Sequence, residues 1–318
     1  MSLPFKCRAC GSPQRLSKHI VTERQFGTGE KFLYGECAHC GSLSIATVPT
    51  DLDRHYPSDY YAYQTPDVHA AAPSFHQRFV HWLSGGDVVK RCIEQLLRLA
   101  RITTSSQILD VGCGSGTWLQ QLQQAGYQNL AGLEPYLPTA EHTSKGVTIR
   151  RGGIHTAEGE HDLITYHHVL EHIGDPRMEI TAAAKRLKPG GYLLIRVPVA
   201  DSWARRKFQT CWAQWDTPRH LWVPTRTALS LLAQENKLTE ITCIDDSSGF
   251  QVWASRRYRA NLTGLGGKYT PHNRKRYLYA ALPSILAAVA WAAWLNNRQQ
   301  GDQVAVLWQK PLAEKTAP

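Results

Sequence analysis

Residues 108–119 read ILDVGCGSGTWL, and the reading of this stretch decides the fold. A short apolar run ends in glycines at 112, 114 and 116, and a helical pattern starts at Thr117. Strand, glycine turn and helix in that order let the backbone pass close to a ligand above the strand ends, the usual ligand position in open α/β sheets. A dinucleotide fingerprint, G-x-G-x-x-G, needs glycine where this chain has Thr117, which weakens a nicotinamide reading. Asp110 points the same way, because a carboxylate before the first glycine repels a pyrophosphate and suits a cationic ligand. In LAGLEP, 24 residues on, Glu134 ends the next strand, where an acid accepts hydrogen bonds from both hydroxyls of a ribose.

Outward from that turn, strands are expected at Ile108–Val111, Leu130–Leu133, Val147–Ile149, Leu163–Tyr166 and Tyr192–Val197. Helical patterns at Asp87–Arg101, Thr117–Ala125 and Arg177–Leu187 alternate with them, which predicts βαβ units and a parallel sheet. LTEITCID and QVAVLWQKP read as two further strands, and no internal repeat is present. At 318 residues the chain has room for one large α/β domain plus a small appendage. Lys and Arg outnumber Asp and Glu by 36 to 26, a formal charge of +10, which favours anionic partners without choosing among them. The N-terminus, MSLPFKCRAC, has no apolar core of signal-peptide length, so a cytoplasmic location is expected.

Four of the eight cysteines, Cys7, Cys10, Cys37 and Cys40, are spaced C-x2-C-x26-C-x2-C, each pair followed by glycine. Four thiolates close a tetrahedral site with no open position, so a structural Zn2+ is expected. Residues 1–50 carry few large apolar side chains and need such a staple, which makes them a zinc ribbon. Residues 51–86, rich in Tyr and Pro, read as a linker or lid. The other cysteines, Cys92, Cys113, Cys211 and Cys243, are expected to be buried small apolar residues.

ILDVGCGSG, GLEP, HDLITYHHVLEH and LKPGGYLLIRVP, in this order, resemble the class I S-adenosylmethionine-dependent methyltransferases over about residues 87–250. The resemblance implies a seven-stranded Rossmann-like sheet whose last strand is antiparallel, and QVAVLWQKP fits that strand. It also implies that Asp110, Gly112, Gly114, Gly116 and Glu134 carry the cofactor. The methyltransferase domain would then span 87–318, with an apolar helical insertion at 251–300.

HHVLEH, residues 167–172, would follow the fourth strand of that fold, where cofactor meets acceptor. A helix starting near Val169 would place Glu171 and His172 in its first turn. In one reading the stretch walls the pocket, with His167 or His168 against the methionine end of the cofactor. In the other, by resemblance to quinone O-methyltransferases with an E-x-x-E-H motif, His168, Glu171 and His172 hold a divalent metal. The cysteine knuckles, the tyrosines of YPSDYYAY and the core together are similar to zinc-ribbon C-methyltransferases of nucleotide-linked deoxysugars. That resemblance implies His220 as the base and Tyr60 or Tyr61 as a tyrosine reaching the sugar. Arg219 stands where the family has an acid, and it would suit an anionic substrate. The chain lacks most of that family's long C-terminal domain.

The acceptor is therefore expected to be a small molecule or glycoconjugate, with a sugar or polysaccharide precursor favoured. Quinone or lipid O-methylation is an alternative, and so is RNA methylation through the ribbon. Nucleic acid is disfavoured because HHVLEH stands where base N-methylation often uses an Asn/Asp-Pro-Pro-aromatic motif. Residues 274–298, RKRYLYAALPSILAAVAWAAWLNNR, have no charge from Tyr277 to Leu295. A helical pair packed on the domain is expected there. An interfacial anchor, with Trp291 and Trp294 at headgroup level, is the other reading and would fit a lipid-linked acceptor.

Overall fold

A computed structural model describes residues 5–56, 86–144, 146–262 and 286–313. Its larger sheet has eight strands: β4 (Gln107–Val111), β5 (Asn129–Leu133), β6 (Glu141–Ser144), β7 (Val147–Arg150), β8 (His161–His167), β9 (Leu187–Pro198), β11 (Thr239–Asp245) and β12 (Gln303–Gln309). Their spatial order is β11-β12-β9-β8-β4-β5-β7-β6. The pairs β4–β5, β4–β8, β5–β7 and β8–β9 are parallel, whereas β12 runs antiparallel to both β9 and β11. Central strands of such a sheet are covered on both faces and read as continuous apolar runs. Accordingly Leu163, Ile164 and Tyr166 of β8 and Leu193, Leu194, Ile195 and Val197 of β9 are buried.

The expected seven strands become eight because β6 folds back antiparallel on β7 as an edge strand. Its residues Glu141, His142 and Thr143 are exposed, so no apolar alternation marks it in the sequence. The chain order reverses beside β4, with β5 and β7 on one side and β8 and β9 on the other. A crevice at the carboxyl ends of β4, β5 and β8 follows from that reversal.

Helices α1 (Gly86–Leu99), α2 (Thr117–Gln124), α3 (Pro176–Arg186) and α5 (Arg226–Glu235) flank the sheet, and α4 (Trp203–Phe208) is a short turn after β9. The helix expected near Val169 does not start there. Residues Leu170–His172 form a single 3-10 turn, and α3 begins only at Pro176, where the Asp175 side chain caps the Met178 N–H at 3.1 Å. Gly174 and the proline at the first helical position explain the delayed start.

The smaller sheet joins β1 (Arg15–Thr22), β2 (Lys31–Cys37) and β3 (Leu43–Ile45) to β10 (Trp222–Val223). Its fourth strand therefore comes from outside residues 1–50, with Trp222 opposite Ser44 and Val223 opposite Leu43. One buried cluster contains Cys7, Ala9, Cys37 and Cys40 together with Leu109, Ile164, Ile195, Trp222 and Leu229. The cysteine knuckles and the large sheet thus share a core.

Of the expected insertion, the described parts are α6 (Phe250–Arg259) and a helix over 286–296, α7. Ala288, Ala292 and Leu295 are the buried side of α7, while Trp291 and Trp294 stack at 4.7 Å on its exposed side. No helix among the described residues is long and apolar enough to cross a membrane. Arg274, Lys275, Arg276 and the apolar run up to residue 285 lie outside the described residues.

Candidate functional site

The glycine turn leaves β4 with φ of 70° at Gly112, 54° at Gly114 and 72° at Gly116, conformations that side chains strain. A Cβ on Gly112 would lie 2.5 Å from Val169 Cγ2, so the turn sits directly against the HHVLEH segment. The turn is tied to the tip of β5 by the N–H groups of Gly112 and Cys113, which donate to the Leu133 carbonyl at 2.7 and 3.1 Å. Glu134 accepts from the Gly114 N–H at 2.9 Å through one oxygen and from the Tyr136 N–H at 3.0 Å through the other. Asp110 accepts from the Thr165 hydroxyl at 2.7 Å. Burial, assisted by the charge of Glu134 and opposed by that hydroxyl, pushes its carboxyl up to about 7. Two acids on adjacent strand tips beside a backbone free of side chains form an electronegative cradle that fits a cationic nucleoside.

His167 ends β8 with its ring edge-on to Trp118 at 4.6 Å. Neither ring nitrogen has a hydrogen-bond partner among the described residues. Burial, helped by Arg196, holds this imidazole well below its usual range, so it is neutral and has unmet hydrogen-bonding capacity beside the turn. His168 has φ 57° and places Nδ1 3.3 Å from Glu171 Oε1.

Behind this wall lies a second cluster. Glu171 is fully buried and its Oε2 has no partner among the described residues. Burial works against its charge, but the His168 hydrogen bond and the neighbouring histidines hold its carboxyl below the usual range. His172 Nδ1 lies 2.9 Å from the Arg219 carbonyl and 3.1 Å from the Tyr56 hydroxyl. Burial and His220 lower its imidazole to about 4. His220 stands edge-on to His172 at 4.8 Å, and its Nδ1 lies 2.9 Å from the Gln214 carbonyl. A carbonyl only accepts, so Nδ1 carries the proton and Nε2 is a bare lone pair. That Nε2 lies 3.7 Å from Asp216 and 4.0 Å from Glu171.

Several expectations change here. Arg219 is fully buried rather than presented to an anionic acceptor. Its Nε donates to both carboxylate oxygens of Asp216 at 3.1 Å, its Nη1 donates to the His55 carbonyl at 3.1 Å, and its Nη2 pairs with Glu23 at 3.5 Å. The acid beside His220 is thus Asp216, one turn earlier, together with Glu171. In this cluster, among the described residues, Glu171, His172 and His220 are close enough to share one ion, with ligand atoms within 4.8 Å of one another, so His220 takes the place expected for His168. Tyr60 and Tyr61 lie outside the described residues. Tyr56, just upstream, reaches His172 and stacks on Tyr136 at 6.3 Å. Its position immediately before Pro57 was the available signal, since the same tyrosine-rich run supplied the expectation. Asp216 carried no motif of its own.

The four knuckle cysteines also converge within 4.8 Å. Cys7 and Cys40 sulfurs are 3.5 Å apart, and Cys10 and Cys37 are 3.6 Å apart. Tetrahedral zinc with Zn–S of about 2.3 Å requires S···S of roughly 3.8 Å, so the donor set fits that ion. Both knuckles repeat one turn: Gly11 and Gly41 N–H groups donate to the Cys7 and Cys37 carbonyls at 2.9 Å. Of the remaining cysteines Cys92 is buried, whereas Cys113, Cys211 and Cys243 are only half-buried.

Comparison with known proteins follows this geometry. The protein family described as "Methyltransferase domain" matches residues 77–242. The chain is similar to the ubiquinone biosynthesis O-methyltransferase of Hydrogenovibrio crunogenus, 35% identical over 97 residues, 27% of this chain and 40% of the relative. It is also similar to the protein of that name from Bordetella avium, 29% identical over 111 residues, 32% of this chain and 46% of the relative. The chain therefore spans less than half the length of these curated relatives. Among solved structures, a putative sarcosine dimethylglycine methyltransferase from Galdieria sulphuraria aligns over 82% of this chain and 98% of its own, with 14% identity and a TM-score of 0.47. Because the family match covers more than half of its length, the chain belongs to the methyltransferase domain family.

Proposed function

We propose that this enzyme methylates a small molecule or glycoconjugate, a sugar or polysaccharide precursor in the first reading, at an atom that must lose a proton. One observation carries this reading: a buried histidine, His220, whose tautomer is set by the Gln214 carbonyl and whose bare Nε2 stands beside two carboxylates. A group so arranged can accept a proton at Nε2 during transfer, with Asp216 and Glu171 beside it to balance the charge that forms.

In this reading Asp110, Gly112, Gly114, Gly116 and Glu134 hold S-adenosylmethionine, which when bound supplies an electrophilic methyl on a sulfonium. Glu134 keeps lone pairs free for ribose hydroxyls even with two backbone donors in place. His167 offers unmet nitrogens to the amino-acid end. His168 and Glu171 hold the loop between the cradle and the base. Tyr56 and Tyr136 offer a stacked aromatic wall, and Tyr61 would come from the neighbouring segment. Cys7, Cys10, Cys37 and Cys40 hold a structural zinc within a ribbon domain, for which metal analysis should return one zinc per chain.

A second reading is quinone or lipid O-methylation, favoured by the names of the relatives and by the Glu171–His172–His220 set. Two imidazoles and a carboxylate suit a divalent cation, since His172 also commits Nδ1 to a carbonyl and leaves Nε2 bare. Contact between α7 and a membrane surface belongs with this reading.

Incubation with methyl-labelled S-adenosylmethionine and fractionated lysate, followed by mass analysis of the labelled product, tests both. His220→Ala should lose roughly 10²–10⁴ in transfer rate while cofactor affinity stays within about twofold. Normal turnover by that variant would remove the first reading. Label entering a catechol only when a divalent cation is added would favour the second.

A further inference from the structure

Three consecutive residues at the proposed base are each held by the N-terminal ribbon. Arg219 pairs through Nη2 with Glu23, just past β1. The His220 carbonyl accepts from the Tyr34 hydroxyl of β2 at 2.8 Å. The Leu221 carbonyl accepts from the Ile45 N–H of β3 at 2.9 Å, while the Leu221 N–H donates to the Glu171 carbonyl at 2.9 Å. The segment they belong to has little structure of its own: 3-10 turns at Gln209–Cys211 and Ala213–Trp215, then Asp216 at φ 32°.

Tyr34 is the pivotal contact. It is fully buried, with its ring edge-on to Trp215 at 5.0 Å. The tyrosine hydroxyl donates to the His220 carbonyl and also lies 3.1 Å from Thr217 Oγ1, a second acceptor on the same loop. Both contacts of the hydroxyl are to the loop that carries the base, although phenylalanine would fill the same apolar space. Buried hydroxyls are kept where a partner needs them.

We infer that Tyr34 is a positioning residue for His220, and that the ribbon serves catalysis by holding the base loop at its depth beside Glu171. The inference rests on the reading of His220 as the base. Without the hydroxyl, the His220 carbonyl and the Thr217 hydroxyl are left buried and unpaired, and the loop shifts to satisfy them. The imidazole moves with its own carbonyl, and a displacement of about 1 Å in a reacting group costs on the order of a hundredfold in rate.

The test uses the full chain, methyl-labelled S-adenosylmethionine and the lysate fraction that takes up label. Tyr34→Phe is expected to lower kcat by roughly 10–100-fold, with zinc content unchanged and cofactor affinity within about twofold. The His220 imidazole resonance, assigned by its disappearance in His220→Ala, should shift in Tyr34→Phe. The double variant should be no slower than His220→Ala alone, because a residue acting through His220 has nothing left to position. Unchanged kcat in Tyr34→Phe, or losses that multiply in the double variant, would overturn the inference. Full activity of His220→Ala is a distinct outcome that removes the base assignment and this inference with it. Should Tyr34→Phe fail to fold, Thr217→Val deprives the same hydroxyl of its second contact. It should show a smaller loss in the same direction, and full activity there would overturn the inference as well.

Discussion

The two halves of the site are built differently. The cradle half, Asp110 to Gly116 plus Glu134, comes from two successive strand–turn units, and its hydrogen bonds stay within them or reach the next strand. The histidine half draws on the 168–172 turn, the 214–221 segment and residues from Glu23 to Ile45 in and beside the smaller sheet. Their electrostatics also contrast. Asp110 is a buried acid whose charged neighbour is another acid, so its carboxyl is pushed up to about 7. Glu171 is equally buried, but histidines surround it and its carboxyl is held below the usual range. The first half sets one acid beside another, whereas the second also pairs Asp216 and Glu23 with Arg219.

The strongest way to break that contrast is Arg219→Met. It leaves Glu23 and Asp216 buried without their cation, and stability should fall by about 3–5 kcal/mol in chemical denaturation. Cofactor affinity of the folded material should stay nearly unchanged, because Arg219 belongs to the other half. A loss below about 1 kcal/mol would mean that the Arg219–Glu23 contact is replaceable.

Gly112→Ala should act in the opposite sense. Its positive φ and the 2.5 Å approach to Val169 predict about 1–3 kcal/mol of strain. Calorimetry should find cofactor binding weakened by roughly tenfold or more. Equal affinity in variant and parent would show that the turn does not carry the ligand.

A smaller effect is expected from Glu134→Gln. One of the two backbone N–H donors would then face an amide N–H, and the charge-assisted contacts, about 1.5–3 kcal/mol for such bonds, would be weakened. The cofactor dissociation constant should rise and the melting temperature should fall by a few degrees.

The most delicate prediction concerns Asp110. Its folded-state carboxyl is raised from 3.8 to about 7, so the folded chain holds this proton more tightly than the unfolded chain between those values. Stability from this group is therefore lost as pH rises through that window. A bound cation favours the carboxylate, so binding near pH 7 should release a proton, and affinity should rise with pH. Calorimetry in buffers of different ionisation enthalpy measures the release. Asp110→Asn should abolish it and should raise the melting temperature of the ligand-free protein at pH 8.

How much of this was legible follows from the same contrast. The strands from Ile108 to Val197 and the cysteine knuckles were readable because apolar runs, glycines and C-x2-C spacing are local signals, whereas the antiparallel direction of the last strand came only with the family resemblance. Strand β6 was not readable, because Glu141, His142 and Thr143 face solvent and carry no apolar period. The helix expected at Val169 gave way to a 3-10 turn once Gly174, Asp175 and Pro176 set the true start of α3. Arg219 could not be placed from its neighbours in sequence. Its partner Glu23 is almost two hundred residues away, and charge alone does not distinguish a ligand-facing arginine from a buried tie.

By itself, then, the sequence determined the sheet, the cradle turn and the clustering of four cysteines, because each depends on residues close together along the chain and on backbone conformations only glycine takes easily. Tertiary structure alone decided which acid stands beside His220, which histidines come close enough to share an ion and that β10 completes the smaller sheet. Those outcomes depend on where distant segments dock, and docking is set by the summed burial of many apolar side chains rather than by any motif the chain displays.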